Sequence, residues 1–280
     1  MNKSRKLRDG MYIFWSIAII LVLILVFATL ILSSCSKTGA EDTRVPPTNA
    51  PATEAPATAG PEQGGQESDA QGSAILHPTE DAGQEYIDKI VFLGDSTTYG
   101  LKFYGMLSGG KDTNRVWTPQ SGTLTLNFWK TTGIVYPETG TEIVMTEAVT
   151  LSKPEILCIT LGVNGITMLD ETAFKKTYAD MVRALQEASP ETKIIINSMY
   201  PVEAIYEAKN NGINNERISA ANEWLKAVAA ETGTKYAETN IGLMDENGKL
   251  KAELGNGDGI HLGPDGFNKV LEYLRTHAYP

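Results

Sequence analysis

Apolar positions along the chain fall into three regimes. From Met11 to Leu32 they run almost unbroken, and about 20 such residues suffice for a helix to cross a bilayer. From Ser36 to about Gln84 large apolar side chains give way to Pro, Ala, Thr, Gly, Glu and Gln. A stretch of that composition buries too little surface to offset its ordering entropy, so it reads as a tether. From Glu85 onward short apolar runs alternate with helical periodicity. Ile90–Leu93 ends in Gly94, Ile156–Leu161 ends in Gly162, Lys193–Ser198 is a further run, and Lys235–Ala237 starts another. Arg115–Gln120 is read as the second strand in chain order. Runs of this kind suit buried parallel strands.

Between them, Phe174, Tyr178, Met181, Val182 and Leu185 recur on one helical face, as do Ile218, Ala221, Leu225 and Val228. A last helix is expected from Pro264, a favoured first helical position, to about Thr276. Strands separated by such helices predict an α/β fold in three layers, α/β/α, around a parallel sheet. The segment from Ser121 to Gly140 has no clear period and is expected to be a long loop near the site. The chain thus divides into a signal peptide or transmembrane anchor over 1–35, a linker over 36–84 and a folded domain over 85–280.

Charge refines the two ends of this picture. The formal net charge of -10 argues against a nucleic-acid partner, which needs a surface rich in Lys and Arg. Lys3, Arg5, Lys6 and Arg8 precede the apolar run, which orients them to the cytoplasm. Leu32-Ser33-Ser34-Cys35 resembles the bacterial lipobox, in which the cysteine is lipidated and becomes the new N-terminus. The alternative is an uncleaved signal anchor with Cys35 at its outer face. Both put the remaining chain outside the cytoplasm and give it the membrane as a partner. As a coil the linker would hold the domain some tens of ångströms from its anchor.

Two cysteines, Cys35 and Cys158, cannot build a disulfide scaffold. Within Ile156-Leu157-Cys158-Ile159 the second reads as a buried apolar residue. His77, His261 and His277 form no cluster with Cys at metal-ligand spacing, so no metal site is expected.

In open parallel α/β sheets ligands bind at the carboxyl ends of the strands. After the first strand comes Gly94-Asp95-Ser96, which reads equally as a helix N-cap and as a turn presenting a nucleophilic serine. Near the C-terminus, Asp258-Gly259-Ile260-His261 places a carboxylate three residues before an imidazole. A serine hydroxyl needs a base to accept its proton, and the base works best when a carboxylate fixes its tautomer. Taken singly, His261 is a loop residue near a helix start and Asp258 a turn former. Together with Ser96 they define a Ser, Asp, His order.

These blocks resemble those of the SGNH/GDSL hydrolases. Gly94-Asp95-Ser96 is similar to the family's first block, Asp258-Gly259-Ile260-His261 to its last, and Gly162-Val163-Asn164-Gly165 to its Gly-x-Asn-Asp block. The chain departs from the family at Gly165, where the pattern has aspartate. The single glycine of the second block is assigned to Gly122, with Gly133 as a weaker candidate. The rival Gly-x-Ser-x-Gly signature is not met, because Thr98 stands in place of its second glycine.

The resemblance implies a flavodoxin-like parallel sheet of about five strands and an enzyme without a cofactor. Ser96 would be the nucleophile, with His261 and Asp258 as its acid-base partners. Asp95 would shape the turn without titrating in catalysis. The oxyanion would be held by the N–H groups of Ser96 and Gly122 and by the Asn164 side chain. An extracytoplasmic esterase or deacylase acting on acylated, for instance acetylated, cell-wall or exported carbohydrate is the expected function. A lipase or thioesterase is the enzymatic alternative, with Trp117, Phe128 and Trp129 lining an acyl pocket if they are not core. A non-catalytic envelope-binding module is the other, resting on Gly165.

Overall fold

The computed structural model describes residues 73–280. The expected signal or anchor segment with Cys35, and residues 36–72 of the expected linker, lie outside the described residues. The last part of that linker belongs to the fold. Ile75 bridges Tyr236 along the sheet edge and Leu76 is buried. The folded unit therefore starts before the expected boundary at Glu85, because the backbone of Ala74 and Leu76 hydrogen-bonds to Tyr236 at the sheet edge.

A short helix, α1 (Gly83–Ile87), leads into β1 (Ile90–Gly94), whose side chains are nearly all buried. Asp95 then starts α2 (Ser96–Phe103). The second expected strand contracts to β2 (Val116–Trp117), because Thr118 onward leaves the sheet for the loop. The expected loop from Ser121 to Gly140 holds a strand, β3 (Gly133–Tyr136), which pairs antiparallel with β4 (Thr141–Val144). Ile134 and Tyr136 alternate inward, a period-two signal too short to stand out in the sequence.

Helix α3 (Met145–Ser152) follows, then β5 (Ile156–Thr160), buried throughout. Asp170 caps α4 (Glu171–Ala188) by accepting from the Ala173 N–H, and the expected face of this helix, from Phe174 to Leu185, is the buried one. Next come β6 (Lys193–Asn197) and the short α5 (Ala204–Glu207). Asn214 caps α6 (Asn215–Thr232), and β7 (Lys235–Ala237) completes the sheet. Finally α7 (Pro264–Thr276) begins at the expected proline.

The sheet order is β2-β1-β5-β6-β7, with every pairing parallel. Alternate strand residues feed opposite faces, as a period of two requires. Leu93, Leu157, Ile159, Ile194 and Ile196 pack with α3, α4 and α6. Phe92, Ile156, Cys158 and Ile195 pack with α1, α2 and α7 on the other face. This is the three-layer α/β/α, flavodoxin-like sheet that the sequence predicted. The strand order reverses direction at β1 and β5, so the carboxyl ends of these two strands flank the crevice where such folds bind ligands.

Candidate active site

The turn after β1 is set by close approach. A β-carbon at Gly94 would collide with the Thr98 hydroxyl and the Thr160 carbonyl oxygen, so only glycine fits. Asp95 follows, fully buried, and its Oδ1 accepts from the Thr97 N–H at 2.9 Å and from the Thr97 hydroxyl at 2.7 Å. This cap fixes the first turn of α2. Ser96 is the first helical residue, and its N–H has no acceptor within the helix.

The partners come from the loop before α7. Asp258 Oδ1 accepts from the N–H groups of Ile260 (2.9 Å) and His261 (3.0 Å). Its Oδ2 lies 2.6 Å from His261 Nδ1, and His261 Nε2 lies 2.9 Å from Ser96 Oγ. Gly259 makes the loop possible: its φ is +92°, and a β-carbon there would lie 2.9 Å from Tyr206 Cβ. Burial opposes charge on Asp258. The two N–H donors and the imidazole outweigh it, and the carboxyl falls to about 2. Asp258 is therefore a carboxylate at neutral pH, placed to hold the Nδ1 proton of His261 and leave Nε2 free to accept from Ser96.

Asp95 shows the opposite balance. Burial raises its carboxyl to about 6, opposed by the Thr97 hydroxyl and N–H, the nearby His261 and the Asn164 amide. Asn164, in the turn after β5, donates through Nδ2 to Asp95 Oδ2 at 2.9 Å. A side chain at Gly165 would press on Leu126 from 3.4 Å, so a larger residue there would crowd that buried leucine.

The expected oxyanion donors divide. Ser96 and Asn164 come together around Asp95. Gly122 lies against the nucleophile, since a β-carbon on it would be 3.7 Å from Ser96 Cβ. Its N–H, however, donates to the Pro119 carbonyl at 2.9 Å and closes a turn. The expected role for that N–H is therefore not met in this conformation, because the donor is already spent. Gly133, the weaker candidate, lies in the β3–β4 hairpin opposite Val144, where its backbone serves pairing.

Aromatic residues also sort differently from expectation. Trp117 and Trp129 are buried and belong to the core, while Phe128 is exposed. The rings beside Ser96 are Tyr99, Phe103, Tyr104 and Phe267, which line a cleft of about 240 Å³ together with His261. Sequence reasoning missed them. The signal was available, since Tyr99 and Phe103 lie three and seven positions beyond Ser96 in α2, one helical face from it.

Cys158 is buried beneath the sheet, where burial pushes its thiol up to about 12. Among the described residues no group of three or more His, Cys, Asp or Glu could hold a metal ion. Among the same residues no helix is long and apolar enough to cross a membrane.

Comparison with known proteins gives this geometry a family. The family model described as "GDSL-like Lipase/Acylhydrolase family" matches residues 92–269, from β1 into α7. The chain belongs to that family and is a hydrolase of ester bonds. Solved structures share the fold. One from Streptococcus pneumonia, named for platelet activating factor, has 17% identity and a TM-score of 0.51, covering 71% of this chain and 94% of its own. A candidate SGNH hydrolase from Slackia heliotrinireducens has 18% identity and a TM-score of 0.50, covering 67% of this chain and 97% of its own. No curated protein sequence matches this chain.

Proposed function

We propose that this chain is a serine esterase that removes acyl groups from carbohydrate outside the cytoplasm, using Ser96, His261 and Asp258. The observation that carries the reading is the unbroken relay from Asp258 Oδ2 to His261 Nδ1 at 2.6 Å and from His261 Nε2 to Ser96 Oγ at 2.9 Å. Ser96 Oγ attacks the ester carbonyl carbon as its proton passes to His261 Nε2. The oxyanion forms near the free Ser96 N–H and the Asn164 amide, whose second N–H is not used by Asp95. The intermediate collapses, the alcohol leaves with the proton from His261, and an acyl-enzyme remains. Water then gives its proton to His261, attacks the acyl carbon, and releases the acid and Ser96. Each half-reaction passes one proton through His261 Nε2, first from Ser96 Oγ to the departing alcohol and then from water back to Ser96 Oγ, and no cofactor is called for.

Carbohydrate is favoured as the alcohol by the tethered sequence at the N-terminus, which suits work on the cell wall or on exported glycan. The rival of a non-catalytic module rested on Gly165. Its force is reduced because Asp95 gives Asn164 a buried acceptor. The test is hydrolysis by the purified full chain of acetylated xylan, acetylated peptidoglycan and short aryl esters. Acid release that disappears in Ser96→Ala supports the proposal, and an inert wild type on every ester contradicts it.

A further inference from the structure

Helix α2 runs away from Ser96 as a ridge with a cleft on either side, and Tyr99 lines both. The first, of about 240 Å³, opens onto Ser96 and His261 and is walled by Tyr99, Phe103, Tyr104 and Phe267. Gly100 lets the wall close, since a β-carbon there would collide with the Phe267 ring. The second, of about 440 Å³, is lined by Tyr99, Lys102, Thr118, Gln120 and Gly122, and His261 does not reach it.

A tetrahedral intermediate on Ser96 has only two bulky substituents to place, the acyl group and the alcohol. The imidazolium must hand its proton to the leaving oxygen, so the alcohol lies on the His261 side. Of these two clefts, the aromatic one alone is lined by His261.

We infer that the aromatic cleft is the alcohol subsite and that it takes a sugar ring, stacked by its C–H face on Tyr99 and Phe103. The inference rests on the serine esterase reading above and adds the residues that choose the alcohol. Tyr99 and Phe103 are 45% and 53% exposed, so core packing does not account for them. Their ring centroids lie 6.4 Å apart, so two half-exposed rings stand side by side. Phe103 packs edge-on against Tyr104 at 4.9 Å, with Lys111 Nζ 5.5 Å from its ring centroid. Aromatic faces carry partial negative charge and attract the C–H edges of a saturated ring. No charged side chain other than a protonated His261 lines this cleft, and Asn256 at its rim offers an amide to ring hydroxyls. An alkyl alcohol would gain more from an enclosed apolar tunnel than from two half-exposed rings.

The test compares the full-length wild type with Phe103→Ala and Tyr99→Ala on an acetylated methyl pyranoside and on ethyl acetate. Each variant is expected to lose about tenfold in kcat/KM on the pyranoside and to stay within about twofold on ethyl acetate, since only the ring is stacked. Hydrolysis of the acetyl-enzyme, read from the post-burst rate, should not change, because the alcohol has already left. Variants that slow that rate, or that change preference between acetyl and butyryl esters of one alcohol, overturn the inference by making the cleft an acyl site. Equal losses on both esters overturn it as well. Phe103→Leu and thermal unfolding guard against a folding defect: the leucine variant should unfold like wild type yet still lose the pyranoside preference. A wild type inert on both esters overturns the esterase reading itself, which separates the two failures.

Discussion

Asn164 Nδ2 donates to Asp95 Oδ2 across 2.9 Å, tying the turn after β5 to the turn after β1. One N–H of the amide is thereby anchored to a fully buried carboxylate, and the second N–H is not used by Asp95. The family pattern places an aspartate at the next position, where this chain has Gly165. The buried carboxylate of the Gly-Asp-Ser turn supplies an acceptor for Asn164 in its absence.

If Asn164 stabilises the oxyanion, Asn164→Ala lowers kcat by about 10²–10³-fold with KM little changed, because the bond is made chiefly in the transition state. A purely structural Asn behaves otherwise: its loss lowers the melting temperature and spares activity measured well below it. Steady-state kinetics and thermal unfolding on the same variant separate the two.

Asp95 gives stability an unusual pH dependence. Its carboxyl sits at about 6 in the folded protein, whereas an unfolded aspartate releases its proton near about pH 4. Between these values the folded state binds a proton that the unfolded chain has lost. Stability from this group is therefore full below the unfolded value and is lost as pH rises through the folded one. Asp95→Asn should remove that falling limb. Across this window the melting temperature of the wild type is expected to fall with rising pH while that of the variant does not, and parallel curves would contradict the assignment.

Much of this was legible in the sequence because the informative signals are local. Apolar runs ending in Gly94 and Gly162 gave the strands, and Pro264 gave the last helix. Ser96, Asp258 and His261 stood out because Gly-Asp-Ser and Asp-x-x-His are compact motifs. What escaped notice depends on tertiary contact. The β3–β4 hairpin has only four residues per strand, too few to show a period. Gly122 was found by position, but its N–H is committed to Pro119 by a turn whose closure no residue identity reveals. The link from Asp95 to Asn164 spans 69 positions. Trp129 and Phe128 are neighbours in sequence, yet one is core and the other exposed, a difference set by the Leu126–Phe128 turn.

The proposed location has its own test. If Leu32-Ser33-Ser34-Cys35 is a lipobox, Cys35→Ala abolishes incorporation of labelled fatty acid and alters membrane retention. A wild type that carries no lipid label while staying in the membrane fraction supports the uncleaved anchor instead.

The central claim is that Ser96 is a nucleophile made reactive by His261, and a phosphonate serine probe measures this directly by intact mass and peptide mapping. The account predicts one covalent adduct on wild type, mapped to Ser96, absent from Ser96→Ala and formed far more slowly on His261→Ala. A properly folded wild type that takes up no probe, or takes it up equally well without Ser96, would contradict it.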